Sequence, residues 1–386
     1  MSPAPPTQPA GSSVPRVRTR LSRAGLYAGA FLGPFGGGVT VAMLPELGTS
    51  FAVSAEAATG SLTAYLLPFA AVMLVSGTLG ERWGRRRTVV GAYLLYAVAS
   101  VACVLATTFS LFLVARAAQG IANAFTTPLL LAALGAAAPP ERLGRALGWF
   151  GSLQAAGQTS APLVGGLTAE LDWRYAFIGV AAVAVLLAAV GIPASPAAAG
   201  AARPSLRSAF RPAVLRLGVV AAVGWGCLSG LGFLVALRLE DAFGVGAGPR
   251  GLVLTGLGVA GLLSARLVGG GVDRMGPRRC VLLGALLGVG LVLGLGFAPV
   301  VGLVAVLWAV GGVATQLVLV GVNALTLSSS EANRGGAMSV VQAVRFGGGA
   351  LAPAVITPVY VADPLLAFLL PAALLALVVP AAVRRA

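Results

Sequence analysis

The chain has 386 residues, of which 58% are hydrophobic and 10% are charged, and its formal net charge is +15. A soluble globular domain carries about 25% charged residues, so this composition excludes that class. All 26 basic residues are Arg, and the chain has no His, the side chain most often used to carry protons near neutral pH. The three cysteines, Cys103, Cys227 and Cys280, are scattered in apolar sequence and indicate neither a disulfide framework nor a metal site.

Apolar windows follow one another along nearly the whole chain. Residues 1–23 precede them and are rich in Pro, Ser and Arg, which predicts a disordered cytoplasmic tail rather than a signal peptide. A membrane span needs about 20 mostly apolar residues. We therefore predict twelve spans, near residues 25–46, 60–80, 88–107, 110–136, 146–168, 174–193, 213–236, 247–271, 279–297, 301–327, 337–360 and 364–382.

The distribution of Arg predicts the orientation, because cytoplasmic loops retain basic residues. With the N-terminus inside, 20 of the 26 Arg fall at cytoplasmic positions. Three fall outside, namely Arg174, Arg238 and Arg250, and three lie within spans, namely Arg116, Arg266 and Arg345. The acids predicted outside are Glu46, Glu56, Glu170, Asp172, Glu240, Asp241 and Asp363. We expect a multi-pass protein of a bacterial plasma (cytoplasmic) membrane with both termini in the cytoplasm.

The chain also contains an internal repeat. The stretch GTLGERWGRRR at 77–87 recurs as GGGVDRMGPRR at 269–279, an offset of 192 residues. Gly157 and Pro162 correspond to Gly348 and Pro353 at an offset of 191. Parallel repeats of this kind are an architecture of secondary transporters, whose substrate site lies between the halves near the membrane midplane. The predicted fold class is an all-α membrane protein with twelve helices in two six-helix bundles, residues 24–193 and 213–386, joined by a cytoplasmic linker at 194–212.

Three motifs resemble signatures of the major facilitator superfamily. Residues 77–87 resemble its loop signature between spans 2 and 3, with Glu81 in place of the usual Asp. Arg116, Gln119 and Gly120 resemble the fourth-span signature. Gly148, Gly157, Pro162, Gly165 and Gly166 resemble the fifth-span antiporter signature of the drug-efflux branch, with Ala161 replacing a Gly. The resemblance extends from about residue 25 to the end and implies a transporter that works by rocking two halves around a central site.

One position departs from the efflux pattern. Members of that branch usually have an acid in the first span, whereas this chain has Gly36 at about that place. A common proton-coupling site is therefore absent, and a proton carrier would have to be an acid near an interface. The candidates are Glu46, Glu81, Glu240, Asp241 and Asp363, and we expect weak or unusual proton dependence.

The repeated loop motif is a candidate cytoplasmic gate. By resemblance, Glu81 would face the positive N-terminal end of span 11, and Asp273 would face that of span 5, in the outward-open state. The alternative is that the Arg residues only fix the topology and the acids balance them. The gate residues are Gly77, Glu81, Arg82, Gly84, Arg86, Asp273, Arg274, Gly276 and Arg278.

Small residues of span 5 predict close helix contact or a hinge, and the sequence leaves both open. Gly157, Ala161 and Gly165 are four residues apart and form one stripe, and Pro162 removes a backbone hydrogen bond. The full set is Gly148, Gly157, Ala161, Pro162, Gly165, Gly166, Gly348 and Pro353.

Ionisable residues inside the membrane are the sharpest indication of a substrate pathway, because each costs at least about 2.5–3.5 kcal/mol to insert. Arg345 is the first candidate for substrate contact. Arg116 serves either the pathway or a buried tie to backbone carbonyls, and Arg266 can extend its guanidinium to the inner interface. The other pathway candidates are Asn123, Gln154, Gln158, Trp225, Gln316, Asn323 and Gln342, with Tyr65 and Trp308 as further aromatic walls.

These features predict a secondary transporter that exports a small organic molecule, such as a drug or metabolite. The alternative is a carrier or exchanger of organic anions that uses the intramembrane Arg; a membrane enzyme or channel is more remote. Expected partners are the substrate, which the Arg would allow to be anionic, the lipid bilayer, and protons or a counter-substrate. We expect a monomer without enzyme activity, cofactor, metal or nucleic acid.

Overall fold

The computed structural model of the protein describes residues 16–137, 143–192, 211–329 and 334–384. Every regular element within these ranges is helical. The first half contains α1 (Arg16–Gly38), α2 (Leu44–Phe51), α3 (Ala55–Ala58), α4 (Gly60–Trp83), α5 (Arg85–Leu105), α6 (Phe109–Ala137), α7 (Leu143–Ala169) and α8 (Arg174–Val190). The second contains α9 (Pro212–Gly226), α10 (Gly232–Asp241), α11 (Ala247–Met275), α12 (Pro277–Phe297), α13 (Val301–Ser329), α14 (Arg334–Ala362) and α15 (Leu366–Arg384).

The all-α membrane class is confirmed, whereas the count of twelve spans stays a prediction. Ten helical stretches of the described residues are long and apolar enough to cross a membrane. Predicted spans 5 and 6 are helices but are not among those ten. Helix α7 has 27 residues and carries Gln154, Gln158 and Ser160, whereas α8 is apolar but has only 17 residues.

The ends of the predicted domains lie partly outside the described residues. The linker at 194–212 is described only from residue 211, and the tail at 1–23 only from residue 16. The sequence predicts disorder up to residue 23, but α1 already begins at Arg16. The stretch from Arg16 to Arg23 contains neither Pro nor Gly, so nothing in it prevents the helix from extending beyond the apolar span.

The first helix of each half is broken at equivalent positions. A 3-10 turn at Val39–Met43 separates α1 from α2, and a 3-10 turn at Ser229–Leu231 separates α9 from α10. Glycines precede both breaks, in GPFGGG at 33–38 and in GWG at 224–226. Glycine costs about 1 kcal/mol relative to Ala within a helix, so each break falls where the helix is intrinsically weakest.

The repeat found in the sequence recurs as equivalent close contacts between helices. A methyl group added at Gly120 would overlap the carbonyl oxygen of Tyr65, and one added at Gly312 would overlap that of Leu257. Gly312 lies 192 residues after Gly120, and Leu257 lies 192 residues after Tyr65, which is the offset of the sequence repeat. The two halves are therefore built on the same pattern of helix contacts.

Two helix pairs join the halves. Helix α4 packs against α14, and α7 packs against α11, whereas the other main contacts lie within each half. The hydroxyl oxygens of Thr59 and Thr357 lie 3.0 Å apart, and Thr63 donates to the carbonyl oxygen of Ala350 at 2.7 Å. These contacts lie towards the end of the molecule that the Arg distribution predicts to face outside.

We predict that Gly120→Ala lowers the midpoint of thermal unfolding in detergent, because the new methyl group meets backbone rather than a flexible side chain. Overpacking of this kind costs about 1–3 kcal/mol. Gly179→Ala in α8 is the matched control, since nothing lies within 4 Å of its added methyl group. Equal midpoints for the two variants would contradict the contact.

Candidate functional site

Arg116 on α6 is fully buried within the first half. Its Nη1 donates to the carbonyl oxygen of Gly36 at 3.0 Å and to Oε1 of Gln119 at 2.7 Å. The guanidinium carbon lies 4.4 Å from the centre of the Tyr65 ring. Arg116 therefore ties α6 to α1 and α4, as in the carbonyl-tie alternative that the sequence left open.

The same hydrogen-bond network holds Asn123. Its Nδ2 donates to the Tyr65 hydroxyl at 2.9 Å, and that hydroxyl donates to the carbonyl oxygen of Gly33 at 3.2 Å. The structure places Arg116 and Asn123 among helix contacts of the first half, and their part in a substrate pathway stays a prediction. Asn123 and Nη1 of Arg116 are hydrogen-bonded to the protein, whereas Nε and Nη2 of Arg116 have no partner among the described residues. Distant contacts of this kind cannot be read from sequence spacing.

The network also explains the missing acid of the first span. A methyl group added at Gly36 would overlap the hydroxyl of Tyr96. A carboxylate side chain at this position would have to displace that ring from the core, where Tyr96 is 2% exposed. The carbonyl oxygen of Gly36, rather than an acid, accepts from Arg116.

Arg345 on α14 has a different environment. It is 8% exposed, and its guanidinium carbon lies 4.3 Å from the Trp225 ring centre and 4.4 Å from that of Phe346. Its Nε has no hydrogen-bond partner among the described residues. The same holds for Oδ1 of Asn323 and Oε1 of Gln342.

These side chains meet at a small cavity between α9, α13 and α14. Its walls are Ala221, Gly224, Trp225, Thr315, Val318, Leu319, Val322, Asn323, Gln342 and Arg345. Four of the predicted pathway residues thus come together here, although they lie up to 120 positions apart in the sequence. All of these walls belong to the second half, most are apolar, and the one charged group is Arg345, so a ligand that entered here would meet apolar surface and a positive charge.

Other predicted pathway residues lie elsewhere among the described residues. Gln154 is half-buried and Gln158 is exposed on α7, and Gln316 is half-buried where α13 crosses Gly261 of α11. Arg266 is exposed on the half of α11 nearer the predicted cytoplasmic end. Trp308 is buried and donates to the carbonyl oxygen of Leu254 at 3.0 Å, which makes it a contact within the second half.

The stripe on α7 faces α1. Methyl groups added at Gly157 and Gly165 would overlap the carbonyl oxygens of Phe31 and Val39, and Ala161 is fully buried between them. Gly348 approaches Ala222 in the same way at the equivalent position of the second half. Pro162 and Pro353 lie inside α7 and α14.

Gly166 faces the other half instead. A methyl group there would overlap the carbonyl oxygen of Ala247, and one at Gly251 would overlap that of Pro162. These glycines therefore allow α7 and α11 to touch across the two halves. Gly148 lies in α7, but its surroundings are outside what the structure describes.

The predicted cytoplasmic gate is described only in part. Gly84 and Gly276 have φ values of 92° and 84°, so each motif turns through a backbone conformation that favours glycine. Gly77 packs against Pro128 of the same half. Arg82, Arg86, Asp273, Arg274 and Arg278 are exposed, and the side chain of Glu81 lies outside the described residues. The contacts proposed for Glu81 and Asp273 therefore stay predictions.

At the end opposite the cytoplasmic loop motifs lies an ion cluster that the sequence did not predict. The side chain of Arg250 is 0% exposed, and its Nη2 donates to both carboxylate oxygens of Glu46 at 2.7 Å. Nη1 donates to Glu240 and to the carbonyl oxygen of Val245 at 3.0 Å, and Nε donates to that of Ala42 at 2.8 Å. We call Arg250, Glu46 and Glu240 the outer latch.

The outer latch joins the two halves. Glu46 and Ala42 belong to the first half, whereas Arg250 and Glu240 belong to the second. Glu170 adds a further cross-half bond by accepting from the backbone N–H of Gly248 at 3.0 Å. The sequence predicted only that Arg250 lies outside. Arg is scarce in the predicted outer segments, and this scarcity is the signal that could have distinguished Arg250.

The fold and the site define a class: a multi-pass membrane protein with two related halves that contact each other closely at one end. A family model described as Major Facilitator Superfamily matches residues 26–353. The chain belongs to the major facilitator superfamily.

Similar proteins fall in the same family. The drug efflux pump JefA of Mycobacterium tuberculosis is 35% identical over 157 residues, 39% of this chain and 31% of that protein. The MFS-type transporter Rv1877 of the same organism is 27% identical over 290 residues, 74% of this chain and 41% of that protein. The matched parts therefore span less than half the length of these relatives.

Solved structures share the fold. A bacterial homolog of the human lysosomal transporter Spinster, in an inward-facing and occupied conformation, superposes with a TM-score of 0.79 at 17% identity. That match covers 97% of this chain and 98% of the other.

We predict that Arg250→Gln opens the outer end. In a background without the native cysteines, which are buried, Thr59→Cys and Thr357→Cys should form a disulfide rapidly, because the native hydroxyls lie 3.0 Å apart. If Arg250→Gln destabilises the state closed on the outside by about 1.4 kcal/mol, the equilibrium between the closed and open states shifts tenfold. Cross-linking should then slow by up to about tenfold.

Glu46→Gln should slow cross-linking less, because Arg250 keeps its bond across the halves to the carbonyl oxygen of Ala42. Arg174→Gln is the control, since Arg174 also lies at the predicted outer end but pairs with Asp172 of its own half. Equal cross-linking rates in Arg250→Gln and Arg174→Gln would show that the outer latch does not hold the halves together.

Proposed function

We propose that this protein is a secondary transporter that exports small organic molecules across the bacterial plasma membrane by alternating access. The observation that carries the proposal is the contact of the two halves at the predicted outer end, through the outer latch and through Thr59 and Thr357, while the second half holds a cavity at Arg345. A carrier of this type needs one state closed on the outside and another closed on the inside.

The outer latch and the cytoplasmic motifs would form in alternation. Opening the outside separates Glu46 from Arg250 and lets water reach both charges. In that state Glu81 and Asp273 would face the N-terminal ends of spans 11 and 5, with each contact worth about 0.3–1 kcal/mol when exposed and up to about 2 when partly buried. The two ends thus use different charge contacts to favour opposite states.

Helix contacts support motion of the halves as units. Within the first half, Gly157 and Gly165 bring α7 against α1 at backbone distance, and Arg116 bonds α6 to α1. Close contacts of this kind move together because a packed core does not deform continuously. The junctions between α4 and α14 and between α7 and α11 are the surfaces that would have to change.

Export, rather than import, rests on two similarities. The fifth-span residues resemble the antiporter signature of efflux members, and the relative JefA is named a drug efflux pump. With Gly36 in the first span, proton coupling would have to use an acid near an interface, and Glu46 and Glu240 of the outer latch are the candidates that respond to opening. We include Gln154, Gln158, Gln316 and Arg266 in the proposed pathway, in addition to the cavity residues.

We predict that locking the outer end stops export. Cells lacking their own multidrug pumps would be loaded with ethidium, a cation, and with carboxyfluorescein, an anion. The variant with Thr59→Cys and Thr357→Cys should export at least one of these dyes when reduced, lose that export when oxidised, and regain it after addition of a thiol reductant.

The variant with only Thr59→Cys is the control, because it cannot form the bridge. Its export should be the same under oxidising and reducing conditions. If the double variant exports neither dye when reduced, or exports equally well when oxidised, the proposal of export by alternating access is contradicted.

We also predict that Glu81→Gln favours the state closed on the outside, because it removes a charge that would stabilise the outward-open state. Cross-linking of the same cysteine pair should then become faster, the opposite of the effect of Arg250→Gln. Arg211→Gln, an exposed basic residue at the same predicted face, is the control. An unchanged rate in Glu81→Gln would favour the alternative that the motif only fixes topology.

A further inference from the structure

Arg345 is a buried charge with no acid beside it among the residues that the structure describes. The ion pairs among the described residues join Arg174 to Asp172 and Arg250 to Glu46 and Glu240, and none involves Arg345. Buried charges in proteins are normally paired or bind a ligand. The charge of Arg345 is therefore available to a negative group that the protein does not itself supply.

Two aromatic rings hold the guanidinium in place. Trp225 and Phe346 lie 4.3 and 4.4 Å from its central carbon, and the two rings lie 5.8 Å apart at 69° to each other. Phe69 of the first half contacts Phe346 with ring centres 5.0 Å apart. Cation–π contacts of this kind occupy the flat faces of a guanidinium and leave its N–H edge for hydrogen bonds.

The polar atoms beside Arg345 are also unsatisfied. Nε of Arg345, Oδ1 of Asn323 and Oε1 of Gln342 lack hydrogen-bond partners among the described residues. An amide can present either its oxygen or its NH2 group to a ligand by rotation. Together with the guanidinium, these amides can surround an oxyanion with N–H donors.

The remaining walls of the cavity are apolar. Val318, Leu319 and Val322 of α13 face Ala221 of α9 across it. In the repeat, the position of Arg345 corresponds to Gln154, so the first half contributes a neutral side chain where the second contributes a charge. A ligand with one anionic end and an apolar body matches these walls.

We propose that Arg345 is the anion-binding group of the transport cavity and that the substrates are amphipathic organic anions, carboxylates first among them. The planar fork of Arg donates two parallel hydrogen bonds to a carboxylate, which Lys cannot do. This inference rests on the proposed function and names the substrate class of the same site.

Binding to the purified protein tests the site without transport. The probes are three matched pairs of equal apolar body, measured by titration calorimetry: 2-naphthoate and 2-naphthylmethylamine, indole-3-acetate and tryptamine, and decanoate and decylamine. At least one carboxylate should bind wild type tenfold or more tightly than its amine partner. Equal binding within every pair, or no binding of any carboxylate, would overturn the proposal.

Variants identify the residue responsible. Arg345→Gln should lose tenfold or more in carboxylate affinity and should no longer prefer carboxylate to amine. Arg345→Lys should keep the preference with lower affinity, which provides a second test if Arg345→Gln does not fold. Arg211→Gln, which removes an exposed Arg at the start of the second half, should bind like wild type. Wild-type affinity in both Arg345 variants would overturn the assignment.

An anionic lipid headgroup carries the same chemistry as a soluble carboxylate. The titrations are therefore repeated in nanodiscs of phosphatidylcholine with and without phosphatidylglycerol. A tenfold loss of carboxylate affinity only when phosphatidylglycerol is present, and only with Arg345 intact, identifies the lipid as the occupant of the anion site. No effect of the lipid identifies a soluble substrate.

Failure of this inference differs from failure of the proposed function. If ethidium export stops and restarts with the outer lock but no carboxylate binds, the protein is an exporter and the substrate class is wrong. If carboxylates bind through Arg345 but oxidation of the Thr59→Cys and Thr357→Cys pair does not change dye export, the anion site is supported and the transport proposal is contradicted.

Discussion

The cost of burying a guanidinium governs the interior of this protein, and three Arg residues meet that cost in different ways. Arg250 is surrounded by two carboxylates and two carbonyl oxygens. Arg116 has one carbonyl and one amide oxygen, with Tyr65 beneath it. Arg345 has two aromatic rings and, within the described part of the chain, no acid. Nε and Nη2 of Arg116 and Nε of Arg345 have no hydrogen-bond partner among the described residues. Arg345 lines the cavity of the second half, so a ligand that entered there would meet its charge.

The sequence predicted much of the fold because membrane spans, glycine stripes and repeats are local or periodic signals. The offset of 192 that relates the two loop motifs also relates the contact of Gly120 with Tyr65 to that of Gly312 with Leu257. The breaks inside the first and seventh spans were not predicted, since a broken apolar span and a continuous one have nearly the same hydropathy. The polar face of α7 likewise could not show how far that helix enters the membrane.

The candidate site was harder to predict because it depends on contacts between distant residues. Arg250 meets Glu46, which lies 204 positions away, and nothing in the spacing of either residue indicates the other. Arg116 and Arg345 looked alike in sequence, each an Arg within a span. Only the tertiary contacts distinguish a charge bonded to Gly36 from a charge that faces a cavity.

The location of the charges also bears on how the two states are balanced. Glu46 and Glu240 are 27% and 39% exposed, so water weakens their attraction to Arg250 even when the outer end is closed. The cytoplasmic contacts proposed for Glu81 and Asp273 are of similar modest strength. Neither end can then hold its state strongly, and a ligand that binds one state tenfold better shifts the balance by about 1.4 kcal/mol. Arg345 contacts the ring of Phe346, which in turn contacts Phe69 of the first half, so an anion at Arg345 would bind next to a contact between the halves, where such a difference in affinity can arise.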